Sequence, residues 1–263
     1  MNGAFQIPTM AEMMAQGKQP EVLFWVGCAG SFDDRAKKIT KAFAKLLHQA
    51  KVNFAVLGTE ESCTGDPAKR SGNEFLYQMQ AFMNIQVLDG YGIKKIVTTC
   101  PHCFNTLKNE YPELGGNYEV VHHTQFLKSL LNEGRLKVAG GKFKGKRITF
   151  HDPCYLGRAN NEYEAPRELL HKLEVELIEM KRCKSRGLCC GAGGAQMFKE
   201  PEKGDKDINV ERTEEAIGTN STIIAAGCPF CNTMLTDGVK AMEKEDTVQV
   251  FDIAEMIANA DDL

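Results

Sequence analysis

IVTTCPHCFNTL, residues 96 to 107, and IIAAGCPFCNTML, residues 223 to 235, are two versions of one phrase: an apolar run, a Cys-Pro-X-Cys unit and the opening of a helix. A strand that passes directly into a helix belongs to parallel sheets. Its reuse invites a search for further pairs. VLFWVGCAG (22 to 30) matches RITFHDPCYLG (147 to 157), each an apolar strand delivering a cysteine at its end. ESCTGD (61 to 66) matches LCCGAG (188 to 193), and YEVVHHTQFLKSLL (118 to 131) matches VQVFDIAEMI (248 to 257). Four blocks in the same order, offset by about 126 residues, make an internal duplication.

Between these blocks apolar residues return every three or four positions, as at Ala36, Ile39, Phe43, Leu46 and Leu47, the spacing of an amphipathic helix. Strand and helix therefore alternate. The expected fold is α/β: two duplicated Rossmann-like units with parallel sheets, helices on both faces and right-handed crossovers. Cysteine ligands are expected at the strand carboxyl ends, where loops converge on a common crevice. The reading divides the chain into an N-terminal arm (1–20) with a Met-rich pattern suited to docking on a partner, a first unit (21–135) and a second unit (146–263). The Gly- and Lys-rich segment 132–146 forms the join.

Eight of the ten cysteines belong to the repeat. Cys28 to Cys63 spans 35 residues, as does Cys154 to Cys189; the next intervals, to Cys100 and Cys228, are 37 and 39, and Cys103 and Cys231 complete the two CxxC units. Scattered core thiols give no reason for such matched spacing, whereas a site drawing several sulfur ligands from distant loops does. Thiolates are soft ligands for zinc and iron–sulfur clusters. The helix that follows each CxxC brings its backbone N–H groups toward the thiolates, and Pro101 and Pro229 stiffen the loops. Adjacent cysteines such as Cys189-Cys190 diverge too much for two corners of a simple tetrahedral site but can bridge different metals of a larger cluster. Gly191, Gly193 and Gly194 permit close backbone approach to a sulfur-rich anion.

Composition narrows the function classes. With 263 residues and 43% hydrophobic content, the chain can bury sizeable cores without disulfide staples. A net charge of -3 gives no footprint for nucleic acid. No apolar run approaches the roughly 20 residues that cross a bilayer, so the expectation is a cytoplasmic protein without direct membrane insertion, membrane-associated only through partner subunits. In a reducing compartment, paired CxxC units read as ligands rather than disulfides.

Cys154, Cys189-Cys190-Gly191 and Cys228-Pro229-Phe230-Cys231 together resemble the cysteine-rich CCG domain. That domain occurs twice in the cysteine-rich subunits of heterodisulfide reductases, and it occurs in iron–sulfur subunits of glycolate, lactate and glycerol-3-phosphate oxidoreductases. The resemblance covers residues 22 to 257 and implies that Cys154, Cys189, Cys190, Cys228 and Cys231 hold a noncubane 4Fe-4S cluster at which a disulfide is reduced. Cys154, Cys189 and Cys190 would then be catalytic, with His151 as a further candidate. The first copy departs from the pattern, because Thr64 stands where the second cysteine of CC belongs. Its remaining Cys28, Cys63, Cys100 and Cys103 suffice for a cubane 4Fe-4S cluster or a tetrahedral zinc.

The function implied is an oxidoreductase subunit resembling heterodisulfide reductase, receiving electrons from a ferredoxin-like iron–sulfur subunit or a flavoprotein and reducing a disulfide or thiol substrate. The alternatives are an electron relay in a flavin-dependent 2-hydroxy-acid or glycerol-3-phosphate dehydrogenase complex, and a zinc-binding assembly subunit. His151 and His102 can donate hydrogen bonds to cluster sulfur or deliver protons. His122-His123 reads as a half-buried strand end, Arg158 and Arg167 as surface ion pairs or anion guides, and Cys183 as a free thiol outside the repeat. CCGAGG lacks the lysine and hydroxyl of a phosphate-binding loop.

Overall fold

The computed structural model describes residues 6–200 and 203–260. It contains eight strands: β1 (Val22–Trp25), β2 (Phe54–Ala55), β3 (Lys95–Thr98), β4 (Glu119–His122), β5 (Arg147–Phe150), β6 (Glu176–Leu177), β7 (Ile223–Ala226) and β8 (Gln249–Asp252). They form two four-stranded sheets in the orders β2-β1-β3-β4 and β6-β5-β7-β8. Every pairing is parallel. The expected α/β duplication is therefore present. In each sheet the chain runs outward in one direction from β1 or β5 and in the other from β3 or β7, so the switch point lies between those strands. Cys28, Cys100, Cys154 and Cys228 all follow these four central strands within a few residues.

Strands covered on both faces are continuously apolar rather than alternating, and Val22–Trp25 and Ile223–Ala226 are buried throughout. Alternate residues feed two separate cores. Leu23 and Trp25 join a layer that contains Cys100, Cys103, Cys190, Cys228 and Cys231. Val22 and Phe24 enter a second layer with Phe43, Leu127, Ile148, Phe150 and Ile253. Both layers draw on both halves of the chain.

The halves meet through reciprocal helix packing. Helix Asp34–Gln49, capped by the Asp33 carboxylate accepting from Ala36 N at 2.7 Å, lies against helix Ile253–Ala260. In the same way Glu164–Lys172 of the second half lies against His123–Asn132 of the first. Apolar side chains on these faces, such as Leu46, Leu127, Leu170 and Ile257, are fully buried, each contributing roughly 1.5–3 kcal/mol. Arg35 ties the seam, donating to both Glu255 oxygens (2.6 and 2.7 Å) and to the Val250 carbonyl (2.8 Å).

The segment expected to be a partner-docking arm lies partly outside the described residues, which begin at 6. Its helix Met10–Ala15 opens with a Thr9–Glu12 capping box, and Met10 and Met13 are buried in the chain's own first core. That methionine face is thus occupied within the chain.

Candidate metal centres

Local geometry repeats along with the sequence. Gly65 and Gly191, each closing a Cys-X-Gly unit, adopt φ of +88° and +93°, a region other residues enter at a cost. Crowding adds to the requirement at Gly65, where a Cβ would come within 2.8 Å of the Tyr77 ring. Cys100 and Cys228 occupy the N-cap positions of helices Pro101–Asn105 and Pro229–Ala241, each with proline in the first turn. Cys228 Sγ accepts from Cys231 N at 3.5 Å, and Cys189 Sγ accepts from Gly191 N at 3.3 Å. The backbone donors expected around thiolates are in place.

The eight repeated cysteines and Cys190 fall into two runs of neighbouring thiols, Cys28 with Cys63 and the other seven together, with Cys28 and Cys63 close enough to act on Cys103 through their charge. Cys28 pairs with Cys63, Cys103 with Cys100, Cys100 with Cys228, Cys228 with Cys231, Cys231 with Cys190, Cys190 with Cys189, and Cys189 with Cys154. The Cys190 and Cys231 sulfurs are 3.3 Å apart. Both sets are thus assembled, and they abut at Cys100 and Cys228.

The electrostatics of this chain bear on what it can hold. The hydrogen bond from Cys28, then a backbone bond from Gly65, bring Cys63 down to about 7 despite burial, while the same pairing and burial drive Cys28 upward. Cys189 is lowered by hydrogen bonds from Cys154 and Cys190, and Cys190 is pushed up to about 12, chiefly by Cys189. Ionising one thiol thus suppresses its neighbour. All nine can be thiolates together only around a compensating cationic centre, which is the chemistry of a metal or iron–sulfur site.

Thr64 is buried, with Oγ1 4.0 Å from Cys103 Sγ, so the fifth position of the first set is filled by a hydroxyl. Glu61, two residues before Cys63, accepts from Val26 N (3.0 Å) and Gly27 N (2.5 Å) and is raised to about 7 by burial. Cys183 stands apart: burial and the Glu179 and Asp152 charges raise it, and no cysteine is among its perturbing neighbours.

His102, inside the first CxxC, lies at the seam between the halves. Its Nδ1 bonds Asp66 at 2.9 Å, and its ring stacks on Tyr155 (4.4 Å) and meets Phe230 edge-on (5.4 Å). Burial opposes its charge, but Asp66 and the Cys100 and Cys189 thiolates outweigh this and raise its pKa. His151 is fully buried and neutral, pushed down to about 3 by burial and then by Arg212. Near neutral pH it offers a hydrogen bond rather than an acidic proton.

Two readings change in detail. His122 and His123 are fully buried rather than half-buried, because β4 ends between the halves: His122 bonds Thr124 Oγ1 (2.7 Å), and His123 bonds His122 (3.2 Å) and Asp252 (3.0 Å). Arg167 is no surface cation; it is buried and forks onto Asp152 (2.7 and 3.0 Å) and Glu179 (2.7 and 2.9 Å). Sequence reasoning also missed Arg212, Glu61 and Asp66. Arg212 lies four residues before the buried Ala216 of helix Ile208–Ile217, a spacing that places it on the inward stripe.

A duplicated parallel α/β fold whose switch points are lined by two such cysteine sets defines a class of cysteine-rich redox-type domains. Residues 22–108 and 148–236 each match the Cysteine-rich domain family (CCG), and the chain belongs to that family. It is 49% identical over 256 residues to the probable iron-sulfur-binding oxidoreductase FadF of Bacillus subtilis (strain 168), a match covering 97% of this chain and 36% of that protein. It is 47% identical over 250 residues to the EtfAB:quinone oxidoreductase of Syntrophomonas wolfei, covering 93% and 35%. A dihydromethanophenazine:CoB–CoM heterodisulfide reductase subunit of Methanosarcina barkeri is 34% identical over 247 residues, covering 91% and 59%. The chain therefore spans about a third of the length of the first two relatives. Among the described residues no helix is long and apolar enough to cross a membrane.

Proposed function

We propose that this chain is an iron–sulfur oxidoreductase subunit that passes electrons between a redox partner and a disulfide or thiol substrate. The observation that carries the reading is the run of seven neighbouring thiols from Cys103 to Cys154, in which the two cysteine sets meet at Cys100 and Cys228. Cys154, Cys189, Cys190, Cys228 and Cys231 would hold a noncubane 4Fe-4S cluster, and Cys28, Cys63, Cys100 and Cys103 a cubane 4Fe-4S cluster or zinc. Each set belongs to one of the units 21–135 and 146–263. When bound, such clusters supply one-electron chemistry that no side chain provides.

The chain's own residues do the rest. The N-cap geometry of Cys100 and Cys228 aims backbone donors at the sulfurs, and Pro101 and Pro229 fix the loops. His102, Tyr155 and Phe230 place an aromatic wall across the seam, which would keep bulk water from the sulfurs behind it. The electron partner would be a flavoprotein or a ferredoxin-like iron–sulfur subunit, in keeping with relatives named as an EtfAB:quinone oxidoreductase and as a heterodisulfide reductase subunit.

Anaerobic purification followed by iron, acid-labile sulfide and zinc assays and EPR tests the reading. Iron and sulfide, with a paramagnetic signal lost in Cys189→Ser/Cys190→Ser, are the expected result. Stoichiometric zinc without sulfide refutes it.

A further inference from the structure

Helix Ile208–Ile217 carries a guanidinium into the core behind the second cysteine set. Arg212 is fully buried; its Nη1 donates to the Arg182 carbonyl (2.8 Å) and to Glu215 (3.0 Å), and its Nε donates to His151 Nδ1 (2.9 Å). Glu215 is itself anchored by Arg182 N (2.6 Å) and Nε (2.8 Å), so Arg212 is held from two sides.

Chemistry then fixes the proton on His151. A guanidinium has donors only and stays protonated, so Nδ1 must accept, and a neutral ring carries its single proton on Nε2. That Nε2 is buried and has no hydrogen-bond partner within the protein. A ring nitrogen of His151 and the Cys190 and Cys231 sulfurs lie within 4.8 Å of one another. With Nδ1 engaged by Arg212, Nε2 is the nitrogen left to face the sulfurs.

We propose that Arg212 is a positioning residue that makes His151 an N–H donor to the Cys190/Cys231 centre and bars it from the metal's ligand set. A His-Cys-Cys zinc site would need the Nε2 lone pair and a proton on Nδ1, which would confront the Arg212 Nε–H donor to donor. A fixed N–H beside the sulfurs instead favours the more negative, reduced state of the centre and raises its potential. The identity of the acceptor rests on the iron–sulfur reading; the position of the proton does not.

The test uses the anaerobically purified full chain labelled with 15N-histidine, as the parent, as Arg212→Lys, Arg212→Met and His151→Phe, and as the double variant Arg212→Met/His151→Phe. Iron and sulfide content is measured on each sample. The expected result is a more negative midpoint potential in Arg212→Met and His151→Phe, no further shift in the double variant, and near-parental behaviour in Arg212→Lys. Pulsed EPR of the reduced parent should show weak nitrogen coupling through a hydrogen bond. Strong coupling of a directly bound imidazole, or a parental potential in Arg212→Met, overturns the proposal. Should the chain hold zinc without sulfide, the iron–sulfur reading fails separately. The same labelled and now diamagnetic sample then reports the tautomer by NMR: a proton on Nε2 supports the assignment and a proton on Nδ1 overturns it.

Discussion

Acidification should act on this fold through His122. Burial first, and then the adjacent His123, hold its pKa well below the ordinary 6.5, and the ring is fully inaccessible, so no discount for solvent screening applies. Below pH 6.5 the unfolded chain binds a proton at this position that the folded chain refuses. Stability therefore rises with pH across the window between the two pKa values and is lost as pH falls through it. At pH 5.5, one unit below the unfolded value, the loss is RT ln 10, about 1.4 kcal/mol relative to pH 7.5. Glu61 works in the opposite sense, because burial raises it to about 7 and its protonation favours the folded state as pH falls. A difference measurement removes that shared contribution. Urea unfolding of the parent and of His122→Gln, whose amide does not titrate, should be followed anaerobically at pH 7.5 and 5.5. The parent should lose about 1.4 kcal/mol more than the variant over this interval. Parallel losses would refute the assignment of a buried neutral His122.

Gly238→Ala should destabilise the protein by about 1–3 kcal/mol, since its Cβ would overlap Thr213 Oγ1 and approach the Asn209 carbonyl to 2.9 Å, prising helix Pro229–Ala241 from helix Ile208–Ile217. Urea midpoints check this, and adding Thr213→Ala should recover part of the loss. Thr64→Cys places a fifth thiol beside Cys103 in the first set and should change the EPR signal of that centre when examined in a Cys189→Ser/Cys190→Ser background. An unchanged spectrum and unchanged iron content would show that the hydroxyl is not what distinguishes the two sets.

The sheets were legible in the sequence because their signal is local. Val22–Trp25 and Ile223–Ala226 are short apolar runs ending at a cysteine, and the duplication supplied each with an internal control. The thiols were legible because few other roles require CC, CxxC and matched intervals. What escaped depends on contacts between residues distant in the chain. Nothing near His123 in the chain announces that Asp252, 129 residues away, will be its partner. Arg167 and Arg212 resemble solvated helix charges until the fold brings Asp152 and Glu179 beside the first and His151 beside the second. Helix Glu74–Gly90 shows the limit of periodicity: Tyr77, Ala81 and Leu88 face the core, while Phe75, Met79, Phe82 and Met83 are exposed, so apolar residues alone do not mark its inner side.

The reciprocal packing of helices has a consequence for how such a chain arises. Helix Asp34–Gln49 on Ile253–Ala260, mirrored by Glu164–Lys172 on His123–Asn132, is the pattern of an isologous homodimer, in which one patch meets its own copy about a two-fold axis. A single ancestral unit with this surface would pair with itself and hold two equal centres. Joining the copies in one polypeptide released them from that symmetry. His122 and Asp252 close equivalent strands β4 and β8, yet Asp252 now bonds His123 across the axis. The position equivalent to His123 is Ile253 and the position equivalent to Asp252 is His122, so this bond is made once and has no symmetric counterpart, whereas two identical subunits would make it twice. Thr64 in the place equivalent to Cys190 is the same freedom exercised among the proposed ligands, and it would allow two neighbouring centres to differ in potential within one fold.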